Sequence, residues 1–234
     1  TPQVQAWLRT HRRFVPHFLP ASSSWLNLVE RWFGELTEKA IRRSAFVSVP
    51  ELVQAIETFL AAAVNPPADG IALDGLARGW AHIERATRHG ADIDARWQMM
   101  SASMQGAMAF QKGLGCVHSL SHSLGGVNPR LHHGTLNAMF LPAVVRFNAQ
   151  ADSVQREHRL QRLAQAMGLP TCDAQGGEVA QAVREMSARL GLPSGLAAMG
   201  VRDGDFERLV PGALADHCHK TNPRAASADD YRDL

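Results

Sequence analysis

The chain has 234 residues, 45% of them hydrophobic and 20% charged, which is an ordinary composition for a globular protein. Its formal net charge of +2 is too small to indicate nucleic-acid binding by itself. No apolar run approaches the roughly 18 uncharged residues of a membrane helix, so no membrane partner is expected. The three cysteines, Cys116, Cys172 and Cys218, are widely spaced, which favours a reducing, cytoplasmic location over a disulfide framework.

The first quarter of the chain differs from the rest in charge and in predicted elements. Residues 1–66 hold seven basic and five acidic residues, whereas the remainder holds 17 of each. A short strand is predicted near Arg13–Phe18, and Ala21–Ser24 offers N-caps for a helix that ends near Arg43. A second helix begins at Ser48, whose capping box with Glu51 precedes an apolar stripe. The following Asn-Pro-Pro disfavours a continuing helix, so we predict two units, residues 1–63 and 64–234.

Beyond this boundary the periodicity predicts helix after helix, and hence a mainly α unit in which residues 1–62 do not share the core. The Met100, Met104 and Met108 stripe of the second of these helices is interpreted as flexible core filling. The predicted helices are Ala68–His89, Asp94–Lys112, Gly115–Leu124, Gly134–Asn148 with Pro142 inside it, Ser153–Met167 and Glu178–Leu190.

Four histidines fall within sixteen positions of one another. His118 and His122 are four apart and therefore project from one face of a helix. Gly125-Gly126 lets the chain turn back, which predicts that His132 and His133 return toward that face. Neutral imidazole is a good ligand for zinc, iron or nickel, although a single histidine is more often a polar side chain without a ligand.

The strings that hold these histidines are Gly113–Gly126 and Leu131–Pro142. They resemble the signature of the iron-containing alcohol dehydrogenases, in which His-x-x-x-His-x-x-Gly precedes His-Gly-x-x-Asn-Ala-x-x-Leu-Pro. Further matching strings are Asn65–Gly70, Arg96–Met100 and Thr221–Arg224. The resemblance implies a dehydroquinate-synthase-like helical domain from about residue 64 to the end.

By this resemblance His118 and His133 correspond to the third and fourth metal ligands, and His122 to the catalytic histidine between metal and nicotinamide. His132 stands where most members have proline, so either His132 or His133 could be the last ligand. The family's first two ligands are an aspartate and a histidine four residues apart, and the matching positions here hold Pro50 and Gln54.

The implied function is metal-dependent, NAD-linked oxidation of a small alcohol or its aldehyde counterpart. Because half of the ligands are replaced, we expect iron or zinc to bind weakly. NAD is implied by resemblance only, since we find no strand-linked glycine-rich phosphate loop and expect the cofactor domain to be absent. The single chain is therefore predicted to be inactive. The sequence leaves open whether the chain forms a homo-oligomer.

The N-terminal stretch Ser22–Phe33 resembles the third-carboxylate motif of DDE-type, mariner-like insertion-sequence transposases. Its Glu30 is the position that would complete a two-metal carboxylate cluster, but the two partner aspartates are not found, so a solvated helix carboxylate is the simpler interpretation. We expect a small strand-plus-helices transposase fragment fused to the dehydrogenase part. The alternative function is that of a transposase remnant acting in DNA binding or transposition, although DNA is not the expected partner.

Overall fold

A computed structural model describes residues 49–61 and 65–234, and all regular secondary structure in these two ranges is helical. The mainly α prediction is confirmed for this part of the chain, whereas the predicted strand, the helix ending near Arg43 and Glu30 lie outside it. The α-helices are α1 (Val49–Leu60), α2 (Pro66–Arg88), α3 (Ile93–Ala109), α4 (Cys116–Val127), α5 (His133–Asn148), α6 (Asp152–Arg156), α7 (Arg159–Ala166), α8 (Gly177–Arg189), α9 (Phe206–Ala215) and α10 (Ala228–Asp233).

Helices α2 and α3 form an antiparallel hairpin. The Asn65 side chain accepts a hydrogen bond from the Ala68 amide at 3.2 Å, and proline occupies the first turn of α2, where its missing N–H costs nothing. Asp92 caps α3 in the same way, accepting from the Ala95 amide at 2.9 Å. These caps fix both helix starts, so the two helices align along most of their length.

The face of α3 that packs on α2 is built from small residues. Ala95, Ala102, Gly106 and Ala109 are buried together with Met99. The larger Trp97, Met100, Met104 and Met108 are exposed instead. The interpretation of the methionine stripe as core filling is therefore wrong, because close approach of the helix backbones requires the small residues on the inner face.

Helix α1 belongs to the core of the later helices. Val53, Ile56 and Phe59 are each 0% exposed, and they cluster with residues of α2, α4 and α5. The expectation that residues 1–62 do not share this core is wrong for α1, because its apolar stripe packs against the later helices. A boundary at residue 63 would separate α1 from the helices on which it packs.

Cations from later in the chain hold the C-terminal end of α1. Arg159, which is 0% exposed, donates to the carbonyls of Phe59 at 2.8 Å and Ala61 at 2.6 Å. The buried Lys112 amine reaches the Phe59 carbonyl at 3.3 Å and pairs with the Asp69 carboxylate. These donors satisfy carbonyls that a helix end leaves unpaired and complement its negative dipole.

Two predicted helices have different limits in the structure. The single helix expected over residues 153–167 is broken between α6 and α7 by His158, whose φ of 51° lies in the left-handed region. Helix α4 continues through Gly125 and Gly126 to Val127, so the turn back comes later than expected. Hydrogen bonds of Arg159, the first residue of α7, accompany the break and favour it over a continuous helix.

The C-terminal region places side chains beside α4. Helix α9 packs on α4, and the Ser123 hydroxyl donates to the Leu209 carbonyl at 2.7 Å. A 3₁₀ turn over His217–Thr221 follows α9, with Asp216 as its N-cap. Within the described ranges, no helix combines the length and the apolar character needed to cross a membrane.

Candidate metal centre

Three imidazole rings meet where α4 and the start of α5 pack together. The ring centroids of His118 and His133 are 5.3 Å apart, as are those of His122 and His133. The His118 and His122 centroids, one helical turn apart, are separated by 5.6 Å. The structure thus brings together three of the four histidines singled out from the sequence, His118, His122 and His133. We call this group the imidazole triangle.

A buried carboxylate from α1 orients the first of these rings. Glu57, which is 3% exposed, contacts His118 Nδ1 through Oε2 and accepts a hydrogen bond from the Val117 amide at 2.9 Å through Oε1. A carboxylate at Nδ1 favours the tautomer with the proton on that nitrogen, so Nε2 keeps its lone pair. Carboxylates orient metal-binding imidazoles in this way, and the Glu57 contact leaves His118 Nε2 available to an ion.

The N-terminus of α4 is capped by side chains from distant segments. Its N-cap residue is Gly115, which has no side chain to offer. Glu57 binds the Val117 amide instead, and Asn222 Oδ1 accepts from the Cys116 amide at 3.1 Å. A Cβ on Gly115 would lie 2.5 Å from Asn222 Oδ1 and 3.2 Å from Glu57 Oε1, so glycine is required for both caps to approach. The caps fix the helix that carries His118 and His122.

An amide group joins two corners of the imidazole triangle. Asn137 Nδ2 lies 3.4 Å from His118 Nε2 and 3.2 Å from His133 Nε2. Because one amide nitrogen carries two hydrogens, it can donate to both lone pairs. The buried Asn137 Oδ1 has no hydrogen-bond partner among the described residues. Both ring nitrogens therefore face one small volume, which the Asn137 amide bridges.

The structure distinguishes the two neighbouring histidines. His132 is the N-cap of α5, and its Nδ1 accepts from the Thr135 amide at 3.4 Å. The ring of His133 packs within the imidazole triangle. Burial, together with a smaller contribution from positive charge on His118, His122 or His132, lowers the pKa of His133 to about 4. The neutral His133 ring can bind a metal and faces the other two imidazoles, whereas His132 Nδ1 accepts the helix-cap bond. His133 therefore suits the fourth ligand position better than His132.

The ion implied by the sequence resemblance fits these residues only in part. His118 and His133 present Nε2 atoms with free lone pairs, which is the donor set that zinc or iron(II) accepts. The other two ligand positions hold Pro50, which has no donor atom in its side chain, and Gln54, whose neutral amide is a poor replacement for imidazole. By the sequence resemblance, the described residues therefore supply two of the family's four ligands.

A second group of donor side chains borders the imidazole triangle. One ligand atom each from His122, Asp216 and Cys218 lies within 4.8 Å of the other two. His122 Nδ1 is 3.1 Å from Asp216 Oδ2, and Asp216 Oδ1 accepts from the Cys218 amide at 2.8 Å. His217 Nε2 is 3.4 Å from Cys218 Sγ. This group combines nitrogen, oxygen and sulfur donors in one place.

The electrostatics of this group favour an acidic carboxyl beside a neutral thiol. Burial acts to raise the pKa of Asp216, but hydrogen bonds from Cys218 and His122 outweigh it, so the pKa lies below its ordinary value. Burial raises the pKa of the Cys218 thiol, and the neighbouring Asp216 carboxylate raises it further. A thiol that remains protonated at neutral pH is a poor nucleophile, which argues against covalent catalysis by Cys218.

Sequence reasoning missed Glu57, Asp216 and Cys218 as site residues. Glu57 follows Gln54 by three positions, which places it on the neighbouring face of α1, and this spacing was a usable signal. Asp216 and Cys218 flank a histidine just ahead of the Thr221–Arg224 string, but no spacing rule connects them with His122. That connection depends on the packing of α9 against α4.

Comparison with known proteins assigns residues 44–234 to the Fe-containing alcohol dehydrogenase family, C-terminal region. The 4-hydroxybutyrate dehydrogenase of Cupriavidus necator is 63% identical over 193 residues, covering 81% of this chain and 50% of that protein. The NAD-dependent methanol dehydrogenase of Bacillus methanolicus is 35% identical over 185 residues, covering 78% and 48%. The chain thus spans about half the length of these curated relatives.

The fold agrees with solved structures of similar sequence. The alcohol dehydrogenase from Oenococcus oeni superposes with a TM-score of 0.72 at 29% identity, over 77% of this chain and 47% of that one. The family match begins at residue 44 and so includes α1, which the sequence had assigned to the transposase-like part. Nothing in these comparisons supports the transposase resemblance of residues 1–62. With 191 residues matched by the family model and a 63% identical relative, the chain belongs to the Fe-containing alcohol dehydrogenase family.

Proposed function

We propose that this chain provides the metal-binding part of an oxidoreductase that acts on a small alcohol or its aldehyde. Its set of metal ligands is too incomplete for the chain to be active on its own. The observation that carries the proposal is the imidazole triangle, in which Glu57 orients His118 and Asn137 bridges His118 and His133. His118 and His133 are the proposed ligands, and His122 is the proposed catalytic histidine between the metal and the nicotinamide.

A divalent iron or zinc ion would supply Lewis-acid activation of the alcohol oxygen when bound. NAD is proposed from the resemblance alone and would bind to the half of such an enzyme that this chain does not span. The 63% identical relative is named for 4-hydroxybutyrate, so this hydroxy acid is the first substrate to assay. Cys116, Cys172 and Cys218 are free thiols, which supports the proposed cytoplasmic location.

The alternative function, that of a transposase remnant, depends on the Ser22–Phe33 motif, which lies outside the described residues, and no observation favours DNA binding. It remains a prediction, as does the homo-oligomer. The upstream DNA would show whether the reading frame continues into a transposase with the missing aspartates.

Restoring the missing ligands tests the proposed metal site. Four-ligand zinc sites gain about 10–16 kcal/mol, or about 3 kcal/mol per ligand, so a Pro50→Asp/Gln54→His variant should bind Zn²⁺ more tightly by several orders of magnitude. Calorimetric titration should show weak binding at this site in the wild type, its loss in His118→Ala/His133→Ala, and its strengthening in the restored variant. Equal heats for the wild type and the double alanine variant would remove the site. Turnover of NAD with 4-hydroxybutyrate by the wild-type single chain would overturn the proposed inactivity.

A further inference from the structure

Three donor side chains of different chemistry converge beside the imidazole triangle. His122 comes from α4, Asp216 ends α9 and Cys218 lies in the following 3₁₀ turn, with their ligand atoms within 4.8 Å of one another. Zinc binds nitrogen and oxygen at about 2.0–2.2 Å and sulfur at about 2.3 Å, so tetrahedral ligands lie about 3.3–3.8 Å apart. His122 and Asp216 already approach to 3.1 Å, and the remaining adjustment is about an ångström or less in side chains that can rotate.

We propose that His122, Asp216 and Cys218 form a second divalent-metal site, separate from the pair His118 and His133. Imidazole, carboxylate and thiolate together suit zinc or cobalt(II), whereas magnesium and calcium prefer oxygen donors alone. The Cys218 side chain is buried, while the His122 side chain is 37% exposed. The site therefore has a closed inner side and an outer side through which an ion can enter.

Local hydrogen bonds hold the donors in place before an ion arrives. Asp216 Oδ1 accepts from the Cys218 amide, which leaves Oδ2 facing His122. The Ser123 bond to the Leu209 carbonyl fixes α9 against α4, next to His122 in the chain. His217 Nε2, 3.4 Å from Cys218 Sγ, offers a fourth donor at a distance that a tetrahedral centre already requires. Such preorganisation reduces the conformational cost of binding.

Metal binding at this site releases a proton. The ion replaces the hydrogen on Cys218 Sγ, so the S–H bond breaks, a metal–sulfur bond forms, and one proton passes to solvent for each ion bound. The pKa of the Asp216 carboxyl lies below its ordinary value, so this ligand is already ionised and contributes no further proton. No oxidant or reductant takes part.

Cobalt(II) provides the test, because thiolate coordination gives a charge-transfer absorption in the near ultraviolet that imidazole and carboxylate do not give. Metal-free full chain is titrated with Co²⁺ and then with Zn²⁺. We expect a band that saturates at one ion per chain, disappears when Zn²⁺ is added, and is absent in Cys218→Ser. Cys172→Ser is the matched control and should retain the band, as should His118→Ala/His133→Ala.

The last of these variants separates this inference from the proposed function, since it removes the first site and leaves the second. His122→Gln changes a partly exposed side chain, and it should weaken Co²⁺ binding at least about tenfold even where Cys218→Ser fails to fold. A wild-type protein without the band, a band unchanged in Cys218→Ser, or an affinity unchanged in His122→Gln would each overturn the proposal. The His122–Asp216 contact would then be a hydrogen bond that joins α4 to α9 and nothing more.

Discussion

Replacement of Glu57 by alanine should destabilise the protein strongly and remove the contact that orients the His118 ring. The side chain is 3% exposed, and its removal leaves the Val117 amide and the His118 Nδ1–H without their acceptor. A hydrogen bond to a charged group contributes about 1.5–3 kcal/mol, and the Glu57 carboxylate accepts two such bonds. We therefore expect a loss of about 3–5 kcal/mol in the free energy of unfolding, or about 6–20 °C in Tm.

Thermal unfolding followed by circular dichroism measures the first effect, and ¹⁵N chemical shifts of the His118 ring measure the second. In the wild type the shifts should report a proton fixed on Nδ1, whereas in Glu57→Ala both tautomers should be populated. Glu185→Ala is the control, because Glu185 is an exposed helical carboxylate and its loss should change stability by no more than about 0.5 kcal/mol. A Glu57→Ala protein within about 1 kcal/mol of wild type, or with an unchanged His118 tautomer, would refute this account of the α1–α4 contact.

Two further predictions concern pH and packing. His133 has a folded-state pKa of about 4, below the ordinary value of 6.5, so its contribution to stability is complete above pH 6.5 and is lost as the pH falls toward 4. The Tm measured between pH 7.5 and 4.5 should therefore decline less steeply in His133→Gln than in the wild type. Parallel Tm curves for the two proteins would contradict this. Met99→Ala should lower the free energy of unfolding by about 2–5 kcal/mol, measured by denaturant unfolding, because Met99 is buried. Met100→Ala and Met104→Ala should each lower it by no more than about 0.5 kcal/mol. Equal losses in the three variants would show that the exposed face of α3 is packed.

Most of the helices could be predicted from the sequence, because the residues that start and end them are close together in the chain. Asn65 and the two prolines after it define the start of α2, and apolar spacing together with glycine defines most later helix limits. The inner and outer faces of α3 were assigned the wrong way round, because hydrophobicity alone predicts the larger side chains inside. Only the partner helix shows that alanine and glycine are needed there. The break at His158 likewise depends on what Arg159 reaches elsewhere in the fold.

The candidate site likewise has one part that the sequence predicts and another that it does not. The four-residue spacing of His118 and His122 is a local property, and the return of the chain to His133 could be expected from the glycine-containing strings. Glu57 lies 61 positions before His118, and Asp216 lies 94 positions after His122. Contacts over such separations are decided by tertiary packing, so periodicity in a single sequence does not predict them.

The cations at the end of α1 have a consequence for the order in which the molecule is assembled. Lys112 and Arg159 reach the Phe59 carbonyl from 53 and 100 positions later in the chain. During synthesis α1 emerges long before either cation, and after α2 has been made the stripe of α1 still lacks its contacts with α4 and α5. Contacts between distant positions slow folding, because the intervening loop must close before the contact stabilises anything. A ribosome that pauses before α5 is complete therefore leaves part of the Val53, Ile56 and Phe59 stripe uncovered, and the nascent chain is then most open to aggregation or to capture by a chaperone.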